Sequence, residues 1–265
     1  MKKLTRKPAI PKKFTASSCL PTSVSPTLDF ERSAGFPHFR VVGVDEVGRG
    51  CLAGPVVAGA VLLPAEWNLP LAKLIALHPE VEFITDSKAL SPKKRAALAP
   101  WIREHVAAFG IAHATVEEID RINIYHASHL AMKRAADAIG NYSHVLVDGN
   151  VVPVHFREMN EVQATAVVKG DLRCLSIACA SIIAKVFRDD WMRELAETHP
   201  GYGLEIHKGY ATEIHRSALR TLGATVIHRR TFGPVREALG LPPLDESPDD
   251  SLEQDLNSPF LGELT

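Results

Sequence analysis

The sequence predicts an α/β fold in which a mixed sheet is flanked by helices and followed by a helical C-terminal portion. Three observations predict it. Strand-length apolar runs alternate with longer stretches of helical spacing between Phe39 and Thr198, the pattern of a layered sheet-and-helix core. The first two runs are joined by a connection too short for a crossover helix, which makes the opening unit a hairpin. Finally, 265 residues with 46% hydrophobic and 23% charged side chains suit a globular chain with a full core.

The elements follow in order. Phe39 to Val47 alternates as a strand, and Val56 to Leu63 is a second run beyond several glycines and Pro55. Ser91 and Pro92 supply an N-cap and an N1 proline for a helix reaching about Phe109. Ile111 to Val116 reads as a third strand. Helical spacing resumes from Glu117 to Ile139 and stops at Gly140-Asn141. Val145 to Asp148 is a short buried strand, and Val162 to Val168 another. Lys169-Gly170-Asp171 opens a long helix to about Thr198, with Asp171 at its N-terminus, and Tyr202 to Leu241 reads as helical pieces between turns. No internal repeat appears.

Charge divides the chain into three parts. Residues 1 to 35 carry seven Lys/Arg against two Asp/Glu, and residues 244 to 265 carry seven Asp/Glu and no Lys/Arg. Both ends lack periodic apolar residues, so 1–36 is expected to be a basic, disordered extension, 37–243 a single domain, and 244–265 an acidic, disordered tail. No apolar run approaches the roughly 18 residues of a membrane span. Prolines and lysines stand where a signal peptide needs an apolar stretch. Cys19, Cys51, Cys174 and Cys179 have no metal or redox spacing, which makes a reducing cytoplasm the expected setting.

Chemistry concentrates in VVGVDEVGRGCLAG, Val41 to Gly54. Asp45 and Glu46 occupy positions where a strand favours β-branched residues, and a buried carboxylate without a cation or donors costs several kcal/mol. A divalent metal at the strand end would resolve the conflict, because hard cations take carboxylate oxygens. Asp148 and Asp171 are carboxylates at two further element ends, and an open α/β sheet gathers ligands beyond its strand ends. Two metals there would suit in-line phosphoryl displacement. Local readings compete for two of the four: Asp171 as a helix N-cap, Asp148 as the first residue of an Asp-Gly turn. The adjacent pair has no such structural use.

Gly48, Gly50 and Gly54, with Glu66 about 20 residues on, superficially match a dinucleotide fingerprint. Only Gly54-Pro55 and a β-rich run precede Glu66, however, which leaves no room for the helix that fingerprint must open. Arg49 between glycines suits an anion contact, because glycine lets backbone N–H groups approach a ligand. Lys88, Lys169, Lys185 and Lys208 are each either phosphate contacts or surface lysines. Tyr210 either stacks on a sugar or base or packs as a surface ring. His228-Arg229-Arg230 is a nucleic-acid backbone clamp or a polar helix edge.

Together, GVDEVGRG (Gly43 to Gly50), DSK (Asp86 to Lys88), VDGN (Val147 to Asn150), KGD (Lys169 to Asp171), SIIAKVFRD (Ser181 to Asp189), HKGY (His207 to Tyr210) and FGPV (Phe232 to Val235) resemble bacterial type 2 ribonuclease H, ribonuclease HII. The resemblance spans about Val41 to Leu241. It implies a ribonuclease H-like fold, with 37–243 as the catalytic domain. The implied activity is an endonuclease that cuts the RNA strand of RNA-DNA hybrids. It would also incise 5' of single ribonucleotides in duplex DNA, leaving 3'-hydroxyl and 5'-phosphate ends. Asp45, Glu46, Asp148 and Asp171 would hold Mg2+ or Mn2+. Gly48, Arg49 and Gly50 would read the ribose 2'-hydroxyl and adjacent phosphate, Tyr210 would pack on the junction sugar, and Lys88 would contact the backbone. A monomer is expected, and Phe260 and Leu261 in the tail are candidate contacts for a replication clamp. The basic and acidic ends lie outside the family pattern, and the segment from Trp67 to Glu82 is enlarged.

Overall fold

The computed structural model describes residues 25–243. Most of the basic arm, the acidic tail and the candidate clamp residues Phe260 and Leu261 lie outside the described residues. The chain runs through α1 (Asp29–Ser33), β1 (Val41–Val47), β2 (Val56–Leu62), α2 (Leu71–Leu77), α3 (Pro92–His105), β3 (Ala108–Ala114), α4 (Val116–Asp137) and β4 (His144–Asp148). It continues through α5 (Val154–Arg157), β5 (Gln163–Val167), α6 (Gly170–Arg173), α7 (Leu175–Thr198), α8 (Leu204–His207), α9 (Glu213–Leu222) and α10 (Gly233–Ala238).

The five strands form one sheet in the order β3-β2-β1-β4-β5. β1 and β2 make the expected antiparallel hairpin, whereas β4 lies parallel to β1 and β5 parallel to β4. The mixed α/β class follows directly. Strand alternation sends Val41 to the face covered by α7 and α3, and Val42 and Val44 to the face covered by α4. Two apolar layers therefore sandwich the sheet. A third cluster, including Leu52, Met192, Tyr202, Leu219 and Val235, ties the loop after β1 to the C-terminal helices. No helix among the described residues is long and apolar enough to cross a membrane.

The structure departs from the sequence expectation in four places. The extension does not run to residue 36: Leu28 and Phe36 enter the core, and Thr27 bridges Cys174. Burial of two apolar side chains and Glu31 in a polar stretch escaped a composition argument. The helix from Pro92 ends at His105, because Ala108 already pairs with Leu62 and begins β3. α4 is kinked at Asn123, whose φ of 59° is non-helical and whose Oδ1 accepts the His126 amide at 3.1 Å, capping the second half. The long helix does not start at Asp171. Cys174 is extended (φ −121°, ψ 119°) and separates α6 from α7, and α6 has Lys169 in the left-handed region at its start with no side-chain cap. The N-cap reading of Asp171 is thereby removed.

The segment after β2 is structured, carrying α2 and short helical turns on either side of it. Trp67 is buried between α2 and α3, stacking near Trp101 with ring centroids 5.9 Å apart.

Candidate active site

β1 ends by presenting Asp45 and Glu46 to opposite faces of the sheet. Asp45 shares the α7 face and is only 6% exposed; Glu46 follows Val44 onto the α4 face, where Arg49 Nη1 stands 3.7 Å from its Oε1. Register fixes the third acid, since Val44 pairs with Val147 in parallel and the next step along both strands sets Asp148 beside Asp45. Asp148 does not serve its own turn. Its Oδ1 accepts the Gly170 amide of α6 at 2.7 Å, and so brings α6, with Asp171, to the same strand ends.

Electrostatics shows that the four acids share one field. Burial pushes Asp45 well above the usual carboxylate range, and Glu46 and Asp148 push it further, against a hydrogen bond from Ser181. Glu46 is raised by burial with Asp148, against the opposing pull of Arg49. Burial raises Asp148 despite backbone donors from Gly170 and Asp171. Asp171 is pushed up to about 6 by burial, then by Asp148 and Asp86. Lys88 faces the same cluster: burial alone would lower it, but Asp45, Asp86 and Asp171 outweigh burial and raise it.

The donor chemistry fits a divalent cation. These are hard oxygen ligands, desolvated and mutually repelling, and a positive charge would relieve both effects. Among the described residues no three His, Cys, Asp or Glu side chains close into a ready-made cluster, so the acids line a common site without forming a finished coordination shell.

The loop after β1 is built for close approach. Gly48 has φ +96°, and a Cβ there would lie 2.2 Å from the Arg188 side chain. At Gly50 a Cβ would meet nothing within 4 Å; no protein atom demands glycine there. Arg188, fully buried on α7, donates to the carbonyls of Ala53, Pro55 and Lys208. Arg229 donates to those of Arg49 and Gly54. Arg188 thus stitches the glycine loop to the segment carrying Tyr210, which itself bridges Cys51, and Arg229 ties the loop to the segment that follows α9. The reading of Arg229 as a nucleic-acid clamp or helix edge is therefore corrected: it is buried and clamps the protein's own backbone.

Tyr210 is 37% exposed with Lys185 Nζ 5.6 Å from its ring centroid. Lys185 is no surface lysine: it is buried and paired with Asp189 at 2.7 Å. Arg49, beside Glu46, also lies 6.0 Å from the Tyr125 ring. Lys169 is exposed on the approach to α6, and Lys208 bonds the Glu205 carbonyl.

Sequence reasoning missed several residues that shape the site. Asp86 accepts the Lys88 amide at 2.8 Å and contributes to the field on Asp171. Ser181 reaches Asp45 and lies 2.9 Å from the Ser87 hydroxyl. Arg95 holds the same turn through the carbonyls of Ser87 and Leu90. All but Arg95 lie inside motifs quoted for their neighbours, so the signal was present without a role attached.

A mixed sheet with acids at the ends of β1 and β4 and on the turn before its long helix defines a ribonuclease H-type nuclease. The ribonuclease HII family model matches residues 42–235. Ribonuclease HII of Ruegeria sp. (strain TM1040) is 45% identical over 85% of this chain and 95% of its own length. That of Paracoccus denitrificans (strain Pd 1222) is 50% identical over 75% of this chain and 87% of its own. The crystal structure of ribonuclease H2 from Pyrococcus horikoshii OT3 superposes with TM-score 0.61 at 25% identity, covering 75% of this chain and 96% of that one. The chain belongs to the ribonuclease HII family and is a metal-dependent ribonuclease H.

Proposed function

We propose that the protein hydrolyses the RNA strand of RNA-DNA hybrids and incises 5' of single ribonucleotides in duplex DNA, acting as a cytoplasmic monomer and leaving 3'-hydroxyl and 5'-phosphate ends. The observation that carries this reading is the gathering of four acids in one field at the ends of β1 and β4, beside an open glycine loop that pairs with Tyr210 through Cys51. Asp45, Glu46, Asp148 and Asp171 would hold the cations. Bound Mg2+ or Mn2+ would activate the attacking water and stabilise the leaving oxygen. The chain's own groups orient the substrate. Open space at Gly50 lets backbone approach a ribose, whose 2'-hydroxyl separates RNA from DNA. Arg49 and Lys88 take flanking phosphates, and the exposed ring of Tyr210 packs on the sugar next to the ribonucleotide.

The test is a cleavage map on duplex DNA with one ribonucleotide and on a continuous hybrid, with Mg2+ and with Mn2+. A single cut 5' of the ribonucleotide is expected. Asp45→Asn should lose cleavage while melting at or above the wild-type temperature, because removing one of several mutually repelling buried acids stabilises the metal-free fold. Full activity in that variant would sink the reading.

A further inference from the structure

Behind Tyr210 lies a group of buried histidines with no place in the chemistry above. His215 and His228 are 0% and 1% exposed, and His207 is buried beside them. Backbone groups of fixed hydrogen-bonding sense dictate where their protons sit. The Thr225 amide can only donate, and it faces His228 Nδ1 at 3.0 Å; that nitrogen carries a lone pair and the proton is on Nε2. His228 Nε2 lies 3.2 Å from His215 Nε2, so the His215 nitrogen must accept. The His215 proton is then on Nδ1, which faces the Tyr210 carbonyl at 3.0 Å. His207 is fixed in the same way: it accepts the Gly209 amide on Nδ1 at 3.2 Å and donates from Nε2 to the Tyr202 carbonyl at 2.7 Å.

We propose that His228 and His215 are positioning residues for Tyr210: a directional relay, Thr225 amide to His228 to His215 to the Tyr210 carbonyl, that anchors the backbone from which the tyrosine ring meets the substrate. The inference rests on the proposed substrate role of Tyr210. Three contacts make Tyr210 the natural output. Its carbonyl also accepts the Thr212 amide at 2.8 Å, its amide donates to the His207 carbonyl at 3.0 Å, and it bridges the glycine loop at Cys51. Its backbone is thus held from behind while its ring projects forward.

The relay exists in one protonation state. A second proton on His215 would oppose N–H to N–H across the 3.2 Å contact, and one on His228 Nδ1 would displace the Thr225 amide, leaving the Thr225 hydroxyl, also 3.0 Å away, to accept it. The surroundings favour neutrality. Tyr202 and His207 pack against the pair, His199 approaches from the end of α7, and Glu117, Asp120 and Arg230 line the adjoining cavity of about 400 Å³. The Asp120 carboxylate is already engaged by the Arg230 and Thr231 amides. Burial and then His215 hold His228 down at about 4, and burial lowers His215.

Two measurements decide the matter. A long-range 1H–15N spectrum of the intact wild-type protein near neutral pH should show His228 as the Nε2–H tautomer and His215 as the Nδ1–H tautomer; either ring in another state overturns the relay, whatever the variants do. In kinetics on the single-ribonucleotide duplex, His215→Leu should lower kcat/KM by about tenfold, and His215→Asn, which keeps a donor toward Tyr210, should stay within about threefold of wild type. Adding His215→Leu to Tyr210→Ala should cost no more than about twofold beyond Tyr210→Ala alone, as expected for residues acting through one another. Losses that multiply would show a general structural role and overturn the proposal. Wild type that cleaves neither substrate would overturn the nuclease reading and the role of Tyr210 with it, whereas cleavage with the wrong tautomers would overturn the relay alone.

Discussion

Gly48 and Gly50 stand two residues apart and are glycines for different reasons. At Gly48 the backbone is in the left-handed region and Arg188 fills the space a side chain would need, so the requirement is internal to the fold. At Gly50 nothing of the protein is near, so the requirement belongs to whatever approaches from outside. Alanine separates the two. Gly48→Ala should destabilise by about 1–3 kcal/mol from backbone strain and the clash with a buried guanidinium, read as a lower urea midpoint. Gly50→Ala should unfold like wild type and yet lose about tenfold in cleavage; unchanged cleavage would remove ligand approach as the reason for that glycine. At this scale much was legible. Asp45 and Glu46 announced themselves because a strand interior gives charged residues no other use, and the structure does place them at a strand end beside Asp148. Arg188 and Ser181 did not, because their roles depend on partners scores of residues away, Ala53 for Arg188 and Ser87 for Ser181, which no local pattern encodes.

Among elements, the strands were readable from alternation and the hairpin from its short connection, since both are local consequences of pleat and chain length. Breaks in helices were not. The α6–α7 interruption depends on Thr27 pairing across to Cys174, and on Glu31, whose Oε1 accepts the Ser176 amide at 2.8 Å in the first turn of α7. Glu31 therefore caps, from a distant segment, the helix that follows the Asp171 turn. Burial raises its pKa above the usual range, against hydrogen bonds from Ser176, and its second oxygen is buried without a partner. Both features favour the protonated form. Glu31→Gln, which keeps an acceptor and carries no charge, should therefore match wild-type stability or exceed it. Glu31→Ala should cost about 1–3 kcal/mol, the typical penalty for stranding a buried donor. Chemical denaturation of both variants checks this, and equal loss in the two would show that shape rather than the hydrogen bond matters.

Across the whole molecule, two sets of buried ionisable groups pull stability in opposite directions as pH changes. Histidines such as His129 and His228, both held at about 4 chiefly by burial, take up protons more readily when unfolded, so they remove stability as pH falls from the ordinary histidine value of 6.5 toward about 4. The acids act the other way. Raised carboxyls such as Asp45, and Asp171 at about 6, are harder to ionise folded than unfolded, and they remove stability as pH rises from the ordinary carboxylate range through their folded values. In metal-free protein the two slopes partly cancel between about 4 and 6. A divalent cation changes only one of them, because it binds the ionised carboxylates and competes with their protons. Saturating Mn2+ should therefore raise the melting temperature more at about pH 8 than at about pH 5. The same comparison with Asp148→Asn should show a much smaller rise at either pH, since a ligand and one repelling charge are both gone. A Mn2+ shift that is equal at the two pH values, or that survives intact in Asp148→Asn, would mean the cation stabilises the protein somewhere other than the ends of β1 and β4.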